Sequence, residues 1–341
     1  METGVSYYGS RILRHVQADL EDMAAHDCTY VVHTFSEADL QHYHGTMREV
    51  VKATHAAGLK AWLDPWAVGG VFGGEALSLY VARFPEHQQV LSSGARVPVA
   101  CPNRYEFRAA LRLWVDAALE IGADVLFWDE PHFCIPGWLD WYHGPLDAWA
   151  CHCSACQYLY RERYGADLPK VFDDGVLAFR QERILDFLAD MTGYAAAQGA
   201  TNALCLIPAA DDHQYGLPFR AAAGLPNIHI FGTDPYWRFT NLTVEEHVGQ
   251  ETARVVEICR YLNKPAQIWV QAFGIPDARE DEVATAIEIA AAGGAEYVAA
   301  WSYPACGYIS PDASARPDVV WETIGGAYRR VRHQREKNRE P

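Results

Sequence analysis

The chain alternates between two patterns. Short runs of β-branched, aromatic and aliphatic residues recur, and each leads into a longer stretch whose apolar positions repeat at helical spacing. The short runs predict eight strands: Val5–Tyr8, Tyr30–Thr34, Lys60–Asp64, Val125–Asp129, Ala203–Ile207, Ile228–Thr233, Gln267–Gln271 and Tyr297–Ser302. The amphipathic stretches predict helices, among them Leu13–Ala25, Met47–Ala57, Arg104–Ile121, Val176–Ala197, Val244–Leu262 and Glu280–Ala292. Several close on a glycine (Gly58, Gly122, Gly199, Gly294), which accepts the left-handed backbone of a helix C-cap without steric cost. Eight β/α units with no GxGxxG after the first strand favour an α/β fold of the (β/α)8 TIM-barrel type over a doubly wound sheet. No Pro/Ser/Gly linker and no short-period repeat divides the chain, so residues 1–341 read as one domain. The extra length falls in two places: Ala67–Val97 after the third strand and Phe133–Asp174 after the fourth, where about 134–174 reads as an insertion.

Composition narrows the function. With 341 residues, half of them hydrophobic, the chain has ample material for a large core. A net charge of −16 leaves no basic surface for a phosphate backbone, which argues against nucleic acid as a partner. The basic run Arg329-Arg-Val-Arg-His-Gln-Arg-Glu-Lys337 is short and reads as a solvated helix end. No apolar run reaches membrane-spanning length, and the first residues lack a signal-peptide pattern, so a soluble cytoplasmic protein with no membrane partner is expected. In that setting nine cysteines predict thiols or metal thiolates in preference to disulfides. Cys28, Cys134, Cys205, Cys259 and Cys306 lie in apolar contexts and read as small buried residues.

The other four cysteines carry a motif. Cys151, Cys153 and Cys156 form C-x-C-x-x-C, and Cys101, in Ala-Cys-Pro-Asn, can add a fourth thiolate from a separate loop. Four thiolates suit tetrahedral Zn²⁺ and leave no open position for substrate, so the reading is a structural zinc that ties the insertion to the Cys101 loop.

Active sites of TIM barrels lie at the C-terminal ends of the strands. Those positions here give His33 to Glu37, Asp64-Pro-Trp66, Asp129-Glu-Pro-His132, Pro208 with Asp211-Asp-His213, Asp234-Pro-Tyr-Trp237, Gln271 and Trp301-Ser-Tyr303. Acids among tryptophans and tyrosines suggest a carbohydrate cleft, with ring faces against sugar C–H faces and polar groups on the hydroxyls. Glycosidic cleavage needs two carboxyl groups, and Asp129, Glu130 and Asp234 are the candidates. Adjacent strand residues point to opposite faces, so Asp129 and Glu130 are expected to differ in role. Asp64, Trp66, His132, Tyr236, Trp237, Gln271 and Trp301 are the substrate-binding candidates. Trp62, Trp128 and Trp269 lie within strands and read as core; Asp211, Asp212 and His213 read as a solvated turn. The glycine-rich Val68–Glu75 lacks a Gly-Lys-Ser/Thr ending and reads as a mobile flap over the mouth, not a phosphate cradle.

Between Pro98 and Leu168 the chain resembles the zinc-bearing β-galactosidases of glycoside hydrolase family 42. The matching features are Cys101-Pro-Asn103, the acid Glu130 at the end of strand four, the C-x-C-x-x-C of Cys151–Cys156 and the following Tyr158-Leu-Tyr-Arg-Glu-Arg-Tyr-Gly165. The resemblance implies a TIM-barrel glycosidase with Glu130 as acid/base. Two departures stand against a full transfer: Asp129 occupies the place of the family's Asn, and strand seven ends in Gln271 where the family has a nucleophilic Glu. Other barrel glycosidases pair acids from strands four and six, which Asp129 or Glu130 with Asp234 would match.

The leading expectation is therefore a zinc-stabilised glycoside hydrolase acting on a small glycoside or oligosaccharide; the sequence leaves self-association open. Two rivals remain at this level. One is a metal-dependent sugar isomerase, epimerase or aldolase using His33, Glu130, His132, His213 and Asp234. The other is a non-catalytic sugar-binding barrel, motivated by Gln271.

Overall fold

A computed structural model describes residues 1–74, 76–139, 142–209, 216–309 and 311–337. Its strands are β1 (Glu2–Tyr7), β2 (Tyr30–Thr34), β3 (Lys60–Asp64), β4 (Gln88–Val90), β5 (Arg96–Ala100), β6 (Val125–Asp129), β7 (Thr201–Leu206), β8 (Ile230–Thr233), β9 (Ala266–Gln271) and β10 (Tyr297–Trp301). Its α-helices are α1 (Leu13–Ala25), α2 (His44–Ala56), α3 (Leu79–Arg83), α4 (Tyr105–Glu120), α5 (Ser154–Tyr164), α6 (Asp174–Ala196), α7 (Phe219–Ala223), α8 (Val244–Leu262), α9 (Asp281–Gly293) and α10 (Pro317–Lys337).

Eight parallel strands close in the order β1-β10-β9-β8-β7-β6-β3-β2. The fold is a (β/α)8 barrel, as the alternation predicts. The eight barrel strands coincide with the eight predicted ones within two residues at each end, save that β1 begins three residues earlier. Gly58, Gly122, Gly199 and Gly294 all take positive φ at their helix ends.

Period-two alternation divides each strand between two cores. One face packs outward on the helices. The other fills the barrel with Tyr30, Val32, Trp62, Val125, Phe127, Ala203, Cys205, Ile230, Trp269 and Ala299. Tyr30 stacks on Trp62 at 4.4 Å, and Phe127 meets Trp269 at 5.1 Å. At ~25 cal/mol per Å², each such ring stabilises the fold by roughly 4–6 kcal/mol before conformational entropy is counted. The filled interior is a rigid floor, and the next inward positions above it form the mouth.

The first long loop has structure that its sequence does not announce. Within 67–97, β4 and β5 pair as an antiparallel hairpin that turns at Gly94. Val68–Gly74 is not a loose flap: Val68, Gly69, Val71 and Phe72 are buried. Gly73 N donates to Asp129 O at 3.1 Å, and His132 N donates to Val71 O at 3.0 Å. Glu37 fixes the same loop by accepting from Gly69 N, Ser78 Oγ and Tyr80 N at 2.7–2.8 Å. Apolar side chains and satisfied backbone groups hold this loop down. Glu75 at its end lies outside the described residues.

Candidate active site

The inward positions at the C-terminal ends of the barrel strands bring acids to one side of the mouth. Alternation through Val125 and Phe127 directs Asp129 inward, and alternation through Ile230 and Gly232 directs Asp234 inward. Asp64 tops β3 in the same way and is buried. Glu130 should point away by this rule. It takes φ 42°, a left-handed conformation rare for a side chain of this size, and its carboxyl turns to within hydrogen-bonding reach of Asp234. Strain at this point is used to bring a fourth carboxyl to the mouth.

Electrostatics follow from that crowding. Burial, then the charge and hydrogen bond of Glu130 and the charge of Asp129, hold the Asp234 carboxyl well above the usual carboxylate range. Asp234 Oδ1 is buried with no hydrogen-bond partner, a cost that protonation of this carboxyl relieves. Burial and the same acids keep the Tyr236 phenol protonated. The loop backbone caps the acids: a Cβ at Gly73 would lie 2.3 Å from Asp129 Oδ2 and 3.6 Å from Glu130 Oε2.

Aromatic rings form the opposite side. Trp66 meets Tyr8 at 5.5 Å, Tyr8 meets Trp301 at 5.3 Å, Trp301 meets Phe273 at 5.1 Å, and Phe273 meets Tyr236 at 5.1 Å. The arc joins the ends of β3, β1, β10, β9 and β8. Trp66 Nε1 is buried with no protein acceptor, a donor that a bound hydroxyl would satisfy. Tyr8 and Phe273 were not singled out from the sequence. Inward parity at the ends of the first and seventh predicted strands is the signal that marks their neighbourhood.

Several predicted residues are placed differently. Trp237 does not reach the mouth: its buried indole donates to Glu282 Oε2 on α9 at 3.0 Å, because the short helical turn after β8 rolls it onto the helix layer. Gln271 is spent on structure, accepting from Arg238 N at 3.1 Å and donating to Phe273 O at 2.9 Å. His132 folds back so that Nδ1 bonds Glu130 O, and burial lowers its basicity. His33 lies on the outer face of β2 with Nε2 on Thr54 of α2, and burial pushes it down to about 3. Asp211, Asp212 and His213 lie outside the described residues. The ligand set of the isomerase reading is therefore not assembled; among the described residues, the one group of His, Cys, Asp and Glu spaced to hold a metal is the cysteines.

That group is complete. The ligand atoms of Cys101, Cys151, Cys153 and Cys156 lie within 4.8 Å of one another, all buried. Cys101 Sγ is 3.5 Å from Cys156 Sγ and 3.6 Å from Cys153 Sγ, and Cys153 to Cys156 is 3.8 Å. A tetrahedron with ~2.3 Å metal–sulfur bonds has edges of about 3.8 Å, whereas a disulfide needs ~2.05 Å. Hydrogen bonds from Cys101, Cys151 and Cys156 hold the Cys153 thiol below its usual range. The cluster joins the end of β5 to the start of α5. Gln89 of β4 continues the connection, donating to Ala100 O at 2.9 Å and accepting from Cys134 N at 3.0 Å, four residues past Glu130.

Fold and mouth together describe a TIM barrel with an acid-and-aromatic cleft, and its structural neighbours are glycoside hydrolases of that architecture. A β-galactosidase from the psychrophilic Marinomonas ef1 superposes with TM-score 0.72 at 13% identity, covering 99% of this chain and 60% of that one. A family 42 β-galactosidase from G. stearothermophilus gives 0.72 at 12% identity, covering 98% and 56%. An endo-1,4-β-mannanase from Rhizomucor miehei gives 0.65 at 11% identity, covering 97% and 95%. The chain thus spans 56–60% of the length of these β-galactosidases, and at such identities the likeness is one of fold. No protein-family model matches the sequence, and no curated protein matches it. Among the described residues no helix is long and apolar enough to cross a membrane.

Proposed function

We propose that the chain is a glycoside hydrolase acting on a small glycoside or oligosaccharide, with its working carboxyls drawn from β6 and β8. The observation that carries the reading is the buried Asp234 carboxyl within hydrogen-bonding reach of Glu130, inside a mouth whose other wall is aromatic. Asp234, held protonated by burial and its acidic neighbours, would give its proton to the departing glycosidic oxygen. Asp129 would be the carboxylate that attacks the anomeric carbon or activates water. Asp64 and Trp66 would bind hydroxyls, and Trp301, Tyr236 and Tyr8 would pack on ring faces. The four cysteines would hold one structural Zn²⁺, with no place in the reaction because all four positions are filled by protein. The neighbours' β-galactosidase and mannanase activities support this class of reaction.

A second reading, a sugar-binding barrel without turnover, is favoured by one observation. Gln271 is held from both sides by backbone groups, and an amide cannot act as a nucleophile. One paired experiment separates the two. The protein is incubated with a panel of aryl glycosides while binding of the parent sugars is measured by calorimetry. Release of aryl alcohol from at least one glycoside supports hydrolysis. Saturable sugar binding with no release on prolonged incubation supports the binding barrel and sinks the hydrolase.

A further inference from the structure

A second polar and aromatic cavity adjoins the mouth. It has a volume of about 430 Å³ and is lined by Tyr7, Tyr8, Ser10, Asp19, Tyr303 and Tyr308 among others. That is within the range of about 300–1,000 Å³ typical of small-molecule sites. It lies where the loop after β1, the α1 helix and the loop after β10 meet. Tyr8 is common to both spaces: its ring contacts Trp66 and Trp301 in the mouth and also lines this cavity.

The hydrogen bonds in its wall are specific. Tyr7 Oη donates to Asp19 Oδ2 at 2.5 Å, and Tyr303 Oη lies 3.4 Å from Asp19 Oδ1 and 3.1 Å from Asp22 Oδ2. The Asp19 charge is thus already met by two phenols, so the cavity is not an open cation site. With its proton directed at carboxylates, the part-exposed Tyr303 phenol oxygen presents lone pairs, while the Tyr7 phenol is buried and serves the wall. Ser10 Oγ accepts from Ile12 N at 3.0 Å, which leaves its proton to donate. Tyr308 stands at the rim, 89% exposed with no packing role that would account for it. Alternating acceptors and donors on an aromatic surface match a sugar ring, with hydroxyls at its edge and C–H groups on its face. The lining also includes His15; a carboxylate ligand would still meet the Asp19 charge, and a wholly apolar one would leave the polar groups of the wall unmatched.

We infer that this cavity is a second saccharide subsite. The substrate would then be a disaccharide or longer, with one unit at Asp129, Glu130 and Asp234 and its neighbour passing Tyr8 to rest against Tyr303 and Tyr308. This inference rests on the proposed saccharide-cleaving mouth.

The test compares wild type with Tyr308→Ala and Tyr303→Phe, on an aryl monoglycoside and on the matching disaccharide. Tyr308→Ala should lower kcat/KM for the disaccharide about tenfold, chiefly through KM, and leave the aryl monoglycoside within twofold. Tyr303→Phe, which keeps the ring, should give a smaller loss on the disaccharide alone. Equal loss on both substrates, or no loss on either, overturns the subsite while leaving the hydrolase intact. If nothing is hydrolysed, calorimetry with the same disaccharide decides: Tyr308-dependent binding keeps the subsite and sinks the hydrolase, and binding that is absent or indifferent to Tyr308→Ala sinks the subsite.

Discussion

Replacing Cys153 with alanine should loosen the connection between two distant loops by a calculable amount. A metal held by Cys101 and the Cys151–Cys156 cluster closes a loop of about 50 residues. By the chain-entropy relation for a cross-link, that closure removes about 14 cal/mol/K from the unfolded chain, or about 4 kcal/mol at 25 °C. Unfolding entropy near ~2.1 cal/mol/K per residue gives ~0.7 kcal/mol/K for this chain, so losing the link should lower Tm by about 6 °C. Metal content by elemental analysis and Tm by circular dichroism make the assay. Wild type should carry about one zinc per chain and lose about 6 °C on strong chelation; Cys153→Ala should start low and not respond to chelator. Cys259→Ala is the control, because Cys259 is an equally buried thiol outside the cluster, bonded to Phe231 O at 3.7 Å. Its Tm change reports the cost of a small cavity alone. Metal-free wild type, with Cys153→Ala and Cys259→Ala equally stable, would refute the reasoning.

Three further outcomes are expected. Asp234 has a native pKa raised above its unfolded value, so it favours folding only while protonated; that contribution is full below about pH 3.9 and is lost as pH rises through the native pKa. Asp234→Asn should therefore be more stable than wild type at neutral pH and lose that advantage toward pH 4, read from Tm across pH. Gly73→Ala puts a methyl 2.3 Å from Asp129 Oδ2, so turnover should fall by at least tenfold while Tm changes by only a few degrees. Glu37→Ala removes three charge-assisted bonds worth roughly 1.5–3 kcal/mol each, and amide exchange of residues 68–80 should accelerate at least tenfold with a smaller change elsewhere.

What the sequence disclosed, and what it hid, follows physical lines. The barrel was legible because eight strands and their helices repeat one period-two and period-3.6 alternation. The cysteine cluster was legible because C-x-C-x-x-C has few structural uses. Parity shows that Asp129 and Glu130 of a regular strand face opposite ways but leaves open which one meets Asp234. The inward turn of Glu130 depends on φ 42°, which no residue type announces. The β4–β5 hairpin is hidden because β4 has only three residues and Pro98 interrupts β5, so neither segment reads as a strand. Aromatic identity does not fix which face Trp237 takes; its indole bonds Glu282 on α9 and leaves the mouth. The glycines of 68–74 suggest a mobile loop, but Val71 and Phe72 bury and Glu37 binds it. Such tertiary contacts override local composition.

The central claim is that the acids on β6 and β8 cleave a glycosidic bond. Its most direct test is kcat/KM of Asp129→Ala, Glu130→Ala and Asp234→Ala, each checked for wild-type folding, on the best aryl glycoside of the panel. General acid–base and nucleophilic roles predict losses of about 10²–10⁴-fold for Asp129→Ala and Asp234→Ala, with a smaller or equal loss for Glu130→Ala. Hydrolysis within twofold of wild type in all three variants would contradict the account.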